Sequence, residues 1–316
     1  MKKAKRLCKG DTIGIVSPAS PSENKSEVTR GIETLEEMGY QVKVGRNVNK
    51  RKGFVAATEE ERAEDINAMF KDDTVDAIFV TQGGYGSAQL FDKLDFETIV
   101  GNPKIFTGFS DITSLHLAMN KIVGLVTFHG PGMARFNSED LTAYTEKQFF
   151  KALESAEPLG EIPLADEKKW LNPIGRGTCQ GTLIGGNLTL ICASLGTPYE
   201  IETKGRILLI EDVDTEPWTF DHMLCHLRNA GKLREAAGII VGECKNCVPF
   251  KYEPGFLVDT SLEDVLEYYL SPLGIPVLYG LPLGHTDDIA TIPLGVMAEL
   301  DSEQKTFRIL ENGVIE

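Results

Sequence analysis

The chain has 316 residues, of which 42% are hydrophobic and 25% are charged, and its formal net charge at pH 7 is −15. This composition is typical of a globular chain of about two domains, and the acidic balance argues against binding to nucleic acid or anionic membranes, which requires clustered Lys and Arg. No apolar run reaches the roughly 18 residues of a membrane span, and the basic N-terminus continues into Lys9, Gly10 and Asp11. We therefore expect a cytoplasmic protein without a secretory signal, whose six cysteines are reduced.

Strand and helix patterns alternate through the first half of the chain. Short apolar runs predict strands at Thr12–Ser17, Gln41–Val44, Ala77–Thr81, Lys104–Gly108 and Val126–His129. Apolar residues at helical spacing predict helices over Val28–Met38, from the capping box Thr58–Glu61 toward Phe70, and over Ile112–Ile122. This alternation is typical of a parallel, doubly wound α/β sheet.

The second half of the chain has a less regular pattern of strands and helices. Segment 154–173 contains three prolines and several charges, so we expect a linker there, between an N-terminal domain over 1–153 and a C-terminal domain over 174–316. The elements predicted in the C-terminal domain are strands at Arg206–Ile210 and Gly238–Gly242, helices at Pro217–Ala230 and Ser261–Leu270, and short strands toward Leu310.

Two loops follow the predicted third and fourth strands, where open α/β sheets bind their ligands. The glycines of Gln82–Gly86 allow backbone N–H groups to approach a ligand, although such a loop is more often only a tight turn. In Thr107–Asp111, Ser110 lies at a strand-to-helix junction, as the nucleophile of a nucleophile elbow does. The same position suits a serine that caps the helix N-terminus, so spacing alone leaves both roles open.

A serine nucleophile requires a base and a carboxylate that orients the base. Of the five histidines, His129 and His285 lie beside glycines at the ends of predicted elements, where a ring can face a cleft. Spacing alone does not choose between these two residues. Glu211 ends the strand Arg206–Ile210 and is the candidate carboxylate, with a solvated acidic turn as the alternative.

Four further residues have the spacing of metal ligands. His222 and His226 are four residues apart on a predicted helix, and Cys244 and Cys247 follow them, so a Cys₂His₂ zinc site is formally available. One histidine pair and one C-x₂-C motif occur in many proteins without zinc. We expect these side chains to have packing and surface roles, and we expect no metal.

Several short motifs occur together in this chain, in the order Gly10–Ala19, Gly83–Gly86, Gly108–Asp111, His129–Pro131, Gly185–Leu188, Leu209–Asp212 and Gly284–His285. With these motifs the chain resembles, from Gly10 to Leu300, the LD-carboxypeptidases, also called muramoyltetrapeptide carboxypeptidases. This family of serine peptidases includes the microcin-C immunity peptidases.

The resemblance implies Ser110 as the nucleophile, His285 as the general base and Glu211 as the residue that orients the base. It also implies an oxyanion hole formed by the backbone N–H groups of Gly84 and Asp111, with no metal and no cofactor. The implied fold is α/β, with a flavodoxin-like, doubly wound parallel sheet in the N-terminal domain. A second, smaller, β-rich α/β domain would supply the acid and base, and the protein would be a homodimer.

The function implied by the resemblance is hydrolysis of the amide before a C-terminal D-amino acid in cytoplasmic murein peptides, as part of cell-wall recycling. The partner would be a small peptide with a free C-terminal carboxylate. Murein-recycling members often carry Arg before the paired glycines, where this chain has Gln82. One alternative is therefore an immunity-type peptidase that cleaves a peptidyl-adenylate antibiotic such as microcin C. Another alternative, of a different class, is a non-catalytic protein that binds a small ligand.

Overall fold

The structure, a computed structural model, describes residues 1–136, 141–166, 169–249 and 260–316. The strands in these ranges are β1 (Thr12–Val16), β2 (Gln41–Val44), β3 (Ala77–Val80), β4 (Ile105–Gly108), β5 (Thr127–His129), β6 (Gly160–Glu161), β7 (Asn172–Gly175), β8 (Thr178–Asn187), β9 (Ile207–Glu211), β10 (Gly238–Gly242), β11 (Val277–Leu281), β12 (Ile292–Leu294), β13 (Met297–Asp301) and β14 (Thr306–Ile309). The α-helices are α1 (Lys25–Glu37), α2 (Glu59–Lys71), α3 (Phe96–Gly101), α4 (Thr113–Ala118), α5 (Ala143–Glu154), α6 (Leu188–Ser194), α7 (Pro217–Asn229), α8 (Lys232–Glu235) and α9 (Leu262–Leu270). Across the described ranges, no helix has the length and apolar content needed to span a bilayer.

The chain separates into two compact units, and the first unit is not continuous in sequence. It comprises residues 1–159, 287–296 and 311–316, whereas the second comprises 160–286 and 297–310. The sequence predicted boundaries at 153 and 173, but residues 154–173 contain β6 and the beginning of β7. Residues 287–296 and 311–316, which the sequence assigned to the C-terminal domain, belong to the first unit. The proline-rich composition that suggested a linker is tolerated because β7, which contains Pro173, lies at the edge of its sheet.

The first unit contains a six-stranded sheet in the order β12–β5–β4–β3–β1–β2. Strands β1 to β5 are parallel and follow the flavodoxin-like order 2-1-3-4-5, and β12 is added antiparallel to β5. Both faces of the sheet are covered. Ile78 packs in the same core as Phe70 of α2, whereas the neighbouring Phe79 packs edge-on against Phe149 of α5, with ring centroids 5.1 Å apart. These features confirm the predicted flavodoxin-like, doubly wound sheet.

The helix that follows β4 is shorter than the apolar pattern predicted. Ile112, Leu115 and Met119 are buried as expected, but Ile122 is 46% exposed. The chain leaves α4 through a π-helical turn, Met119–Val123, and the wider turn places Val123 in the core in place of Ile122.

The second unit contains an eight-stranded sheet in the order β6–β14–β13–β8–β9–β10–β11–β7. Strands β8 to β11 are parallel, and the strands on both sides of them are antiparallel. This arrangement confirms the β-rich α/β character expected of the second domain. The sequence did not predict β8, because its glycines and polar residues resemble a loop. Gly185 has a φ of +125°, and an added Cβ would collide with the backbone of Leu209 on β9, so a glycine is required there.

Candidate active site

Ser110 lies directly after β4, where the chain turns into a helix. Its φ is +62°, a left-handed conformation that is uncommon for residues other than glycine, whereas Phe109 before it is extended with a φ of −152°. A short 3₁₀ turn, Ser110–Ile112, then leads into α4. A strained serine between a strand and a helix is the geometry of a nucleophile elbow. A capping serine would instead have an extended backbone, so the observed conformation favours the nucleophile over the N-cap.

The glycine loop after β3 lies directly against the Ser110 side chain. A Cβ added at Gly83 would be 2.8 Å from the Cβ of Ser110 and 3.1 Å from its Oγ, so the loop cannot carry a side chain at this point. Gly84 has a φ of +105°, and a Cβ there would collide with the side chain of Ser20. Gly83 is therefore required for the loop to approach Ser110, and Gly84 is required for the loop to approach Ser20.

Asp111 follows Ser110 and belongs to the same turn. Its side chain is buried, and its Oδ2 accepts a hydrogen bond of 2.8 Å from the backbone N–H of Ser87. The carboxylate is therefore part of the internal structure of this region. The contact gives no reason to treat the carboxylate as a catalytic acid, and the role of the backbone N–H of Asp111 stays a prediction.

Glu211 and His285 form a hydrogen-bonded pair within the second unit. The Nδ1 of His285 lies 2.7 Å from Oε2 of Glu211, at the end of β9. Two glycines allow this approach: a Cβ at Gly284 would lie 2.9 Å from Oε2 of Glu211, and a Cβ at Gly242 would lie 3.1 Å from the Cβ of Glu211. The resemblance to the family implied this pair, and the structure brings the two residues together across 74 positions of the chain.

The environment of Glu211 differs from that of its partner. Glu211 is completely buried, whereas the side chain of His285 is 16% exposed. Burial raises the pKa of the Glu211 carboxyl above its ordinary value, while the hydrogen bonds from His285 and Asn187 act in the opposite direction. A buried carboxylate that accepts from Nδ1 fixes the orientation of the ring and leaves Nε2 as the nitrogen able to exchange a proton.

The other histidines have different surroundings. His116 is fully buried in α4 and bonds through Nε2 to the carbonyl oxygen of Gly108 at 2.8 Å, and burial lowers its pKa to about 4. His129 is buried in β5, and its ring lies edge-on to that of Phe109 at 6.2 Å between centroids. His222 and His226 lie on the exposed side of α7.

The two cysteines of the C-x₂-C motif follow β10. The Sγ of Cys244 contacts the carbonyl oxygen of Gly242 at 3.4 Å, and the Sγ of Cys247 contacts that of Asp212 at 3.7 Å. Within the described ranges, no group of three or more His, Cys, Asp or Glu side chains is placed to hold a metal ion. The predicted packing roles of these cysteines agree with their contacts.

Two further residues support the candidate site, and the sequence did not single them out: Arg62 holds the glycine loop, and Asn187 lies beside Glu211. Arg62 is 2% exposed, and its guanidinium donates to the carbonyl oxygens of Pro18 and Gly86. It lies in an acidic helical sequence that is typical of a solvated face, so no sequence signal marked it. Asn187 ends β8 beside Glu211 in the sheet register, and only its place after paired glycines hinted at a role.

The comparisons with known proteins cover nearly the whole chain. The family models described as the LD-carboxypeptidase N-terminal domain and the LD-carboxypeptidase C-terminal domain match residues 13–130 and 180–300. A probable murein peptide carboxypeptidase of Bacillus subtilis is 41% identical over 318 residues, covering 99% of this chain and 96% of the relative.

Two solved structures extend the similarity to the fold. The microcin C7 self immunity protein MccF matches with a TM-score of 0.87 and 28% identity, covering 99% of this chain and all of that chain (100%). The sequence of the Escherichia coli MccF is 30% identical and covers 96% of this chain and 94% of the relative. The muramoyltetrapeptide carboxypeptidase of Oxalobacter formigenes matches with a TM-score of 0.82 and 30% identity, covering 96% of this chain and all of that chain (100%). Together with the elbow at Ser110 and the Glu211–His285 pair, these similarities show that the chain belongs to the LD-carboxypeptidase family.

Proposed function

We propose that this protein is a serine carboxypeptidase that hydrolyses the amide bond before a C-terminal D-amino acid in murein peptides. Ser110 is the nucleophile, His285 is the general base and Glu211 orients the base. The murein substrate is supported by the Bacillus subtilis relative, which is named as a probable murein peptide carboxypeptidase and aligns with 99% of this chain.

The observation that carries the proposal is the 2.7 Å contact between His285 Nδ1 and the buried Oε2 of Glu211. A histidine whose Nδ1 is held by a carboxylate serves as a general base through Nε2 in serine hydrolases. The left-handed turn at Ser110 supports the assignment of the nucleophile, because it holds the serine against Gly83 of the glycine loop.

The reaction proceeds by acyl transfer to water. Ser110 Oγ attacks the carbonyl carbon, and His285 Nε2 takes the hydroxyl proton and then gives it to the amine of the leaving D-amino acid. Water attacks the acyl-enzyme with His285 again as the base, which regenerates Ser110. The backbone N–H groups of Gly84 and Asp111 stabilise the oxyanion, and a donor of this kind typically lowers the barrier by roughly 3–4 kcal/mol.

The test is release of D-alanine from a purified murein tetrapeptide, followed by mass spectrometry. The wild-type protein should release D-alanine, and Ser110→Ala should release none above the rate of the buffer. Two matched substrates test the specificity: a tetrapeptide ending in L-alanine and one whose C-terminal carboxylate is amidated should both remain intact. The proposal would be rejected if the wild-type protein cleaved neither the tetrapeptide nor any related peptide.

A second candidate substrate is a peptidyl-nucleotide antibiotic of the microcin C class. It is favoured by the similarity to MccF and by Gln82, which replaces the Arg of many murein-recycling relatives. The Nε2 of Gln82 donates to the carbonyl oxygen of Pro21 at 2.9 Å, so this side chain holds the loop and brings no positive charge. Parallel assays of a murein tetrapeptide and an aminoacyl sulfamoyl adenosine distinguish the two substrates by their kcat/KM.

The cytoplasmic location and the homodimeric state are also part of this proposal. Light scattering coupled to size-exclusion chromatography tests the dimer, and cell fractionation tests the location. A fluorophosphonate probe tests the remaining alternative, a non-catalytic binding protein, because only an activated serine reacts covalently with such a probe. Labelling that is lost in Ser110→Ala would exclude a purely binding role.

A further inference from the structure

Two chain segments carry the backbone N–H groups assigned above to the oxyanion hole. One is the glycine loop with Gly84, and the other is the turn with Asp111. The two segments belong to different βα connections, so their relative position is not fixed by their covalent geometry. Stabilisation of an oxyanion requires both donors about 2.7–3.1 Å from one oxygen position. Some interaction must therefore hold the two segments at a defined spacing.

Ser87 makes two hydrogen bonds that join these segments directly. Its backbone N–H donates to Oδ2 of Asp111 at 2.8 Å, and its Oγ donates to the backbone carbonyl oxygen of Asp111 at 2.6 Å. Ser87 is completely buried and Asp111 is 3% exposed, so water competes little for either bond. The second bond holds the backbone of the residue that also carries one of the proposed oxyanion donors.

The opposite side of the glycine loop is held by Arg62. Its Nη1 donates to the carbonyl oxygen of Gly86 at 2.8 Å, and the same guanidinium binds Pro18 after β1 and Oε1 of Gln89. Gly86 has a φ of +105° and precedes the 3₁₀ turn that begins at Ser87. Arg62 therefore ties Gly86 to the chain after β1, and Ser87 ties the next position of the loop to the serine turn.

We propose that Ser87 is a positioning residue that sets the spacing of the two oxyanion donors through its paired hydrogen bonds to Asp111. This inference rests on the proposed function. Ser87 touches neither the substrate nor the reacting atoms and acts only through the backbone. Because the oxyanion exists in the transition state and not in the bound substrate, loss of Ser87 lowers kcat and leaves KM nearly unchanged.

Ser87→Ala tests the inference, with Ser302→Ala as a matched control. Ser302 is also completely buried, and its Oγ donates to a distant backbone carbonyl oxygen, that of Gly177, at 3.0 Å. Both variants lose the hydroxyl hydrogen bond of a completely buried serine, and both should show small decreases in Tm. Only Ser87→Ala should lower kcat, by about 10- to 100-fold with KM within about twofold of wild type.

Two further measurements separate positioning from stability. Affinity for a peptide boronate, which forms a tetrahedral anion on the serine, should fall in Ser87→Ala by the same factor as kcat/KM. Ser87→Cys, whose thiol donates only weakly, should have an intermediate kcat and keeps the inference testable if the alanine variant does not fold. A kcat for Ser87→Ala within twofold of wild type, with a decrease in Tm like that of Ser302→Ala, would overturn the inference.

The Ser110→Ala variant distinguishes failure of this inference from failure of the proposed function. If Ser110→Ala retains turnover, the proposed function is wrong and the role of Ser87 is wrong with it. If Ser110→Ala is inactive while Ser87→Ala behaves as wild type, only the positioning role is rejected.

Discussion

Replacement of Glu211 by glutamine separates the contribution of this side chain to catalysis from its contribution to stability. A glutamine amide can donate to Nδ1 of His285, which places the ring proton on Nε2 and removes the base. The corresponding change in a serine-protease triad lowers kcat about 10⁴-fold. We therefore expect Glu211→Gln to lose about 10³- to 10⁴-fold in kcat, which corresponds to about 4–5.5 kcal/mol of transition-state stabilisation.

The effect on stability should depend on pH with a defined sign. Burial raises the pKa of Glu211 in the folded protein, so the folded state binds this proton more tightly than the unfolded state, where the pKa is about 4.3. The resulting contribution to stability is fully present below about pH 4.3 and is lost as the pH rises through the pKa of the folded state. Each pKa unit by which the folded value exceeds the unfolded value corresponds to about 1.4 kcal/mol. Glutamine does not ionise, so Glu211→Gln avoids this loss.

The assay combines D-alanine release at pH 7.5 with calorimetric Tm values measured at pH 5 and pH 8. We expect the difference in Tm, Glu211→Gln minus wild type, to be more positive at pH 8 than at pH 5. Glu299→Gln on β13, where Glu299 accepts from Gln180 at 2.8 Å, is the control and should change neither kcat nor the pH trend. Wild-type turnover in Glu211→Gln, or a relative Tm that falls toward pH 8, would refute the reasoning.

Three further predictions concern single residues. Ser110→Gly should be inactive but should unfold at a higher temperature than Ser110→Ala, because glycine adopts a φ of +62° without strain; equal Tm values would argue against a strained turn. His285→Ala should lower kcat by several orders of magnitude and should also lower the Tm, because it removes the hydrogen-bond partner of the completely buried Glu211. His129→Ala should lower the Tm through a cavity in the buried β5 strand and leave the kcat of the folded protein largely intact. His116 has its pKa lowered to about 4, so its contribution to stability, about 3 kcal/mol at neutral pH, should disappear as the pH falls from about 6.5 through 4; thermal melts of wild type and His116→Gln between these pH values should show the steeper loss in wild type.

The parallel sheet of the first unit could be predicted because its signals are local. Short apolar runs mark β1 to β5, and the Thr58–Glu61 capping box begins α2 as predicted. The elements that were missed depend on long-range packing. β8 is a strand because its glycines allow close approach of the backbone of β9, and a single sequence does not reveal such a partner. β7 contains a proline that its edge position alone makes acceptable.

The candidate site was predictable to a different degree for each residue. Ser110 follows from a local strand-to-helix pattern, but its left-handed backbone becomes visible only in the structure. His285 could not be separated from His129 by spacing, and the resemblance to the family was needed to choose it. The role of Arg62 could not be predicted, although its buried guanidinium donates to three backbone carbonyl oxygens. In the sequence it is one charged residue among others on an acidic helix, and nothing there distinguishes a buried arginine from an exposed one.

The return of residues 287–296 to the first unit limits how this protein can be divided. β12 pairs antiparallel with β5 and covers what would otherwise be an open edge of the first sheet. A fragment that ends at residue 159 contains the serine turn and the glycine loop, but it exposes the edge of β5 to other chains. The two halves of this protein are therefore unsuited to exchange as separate modules in evolution or in engineering, because the last strand of the first sheet is encoded after the histidine of the second unit.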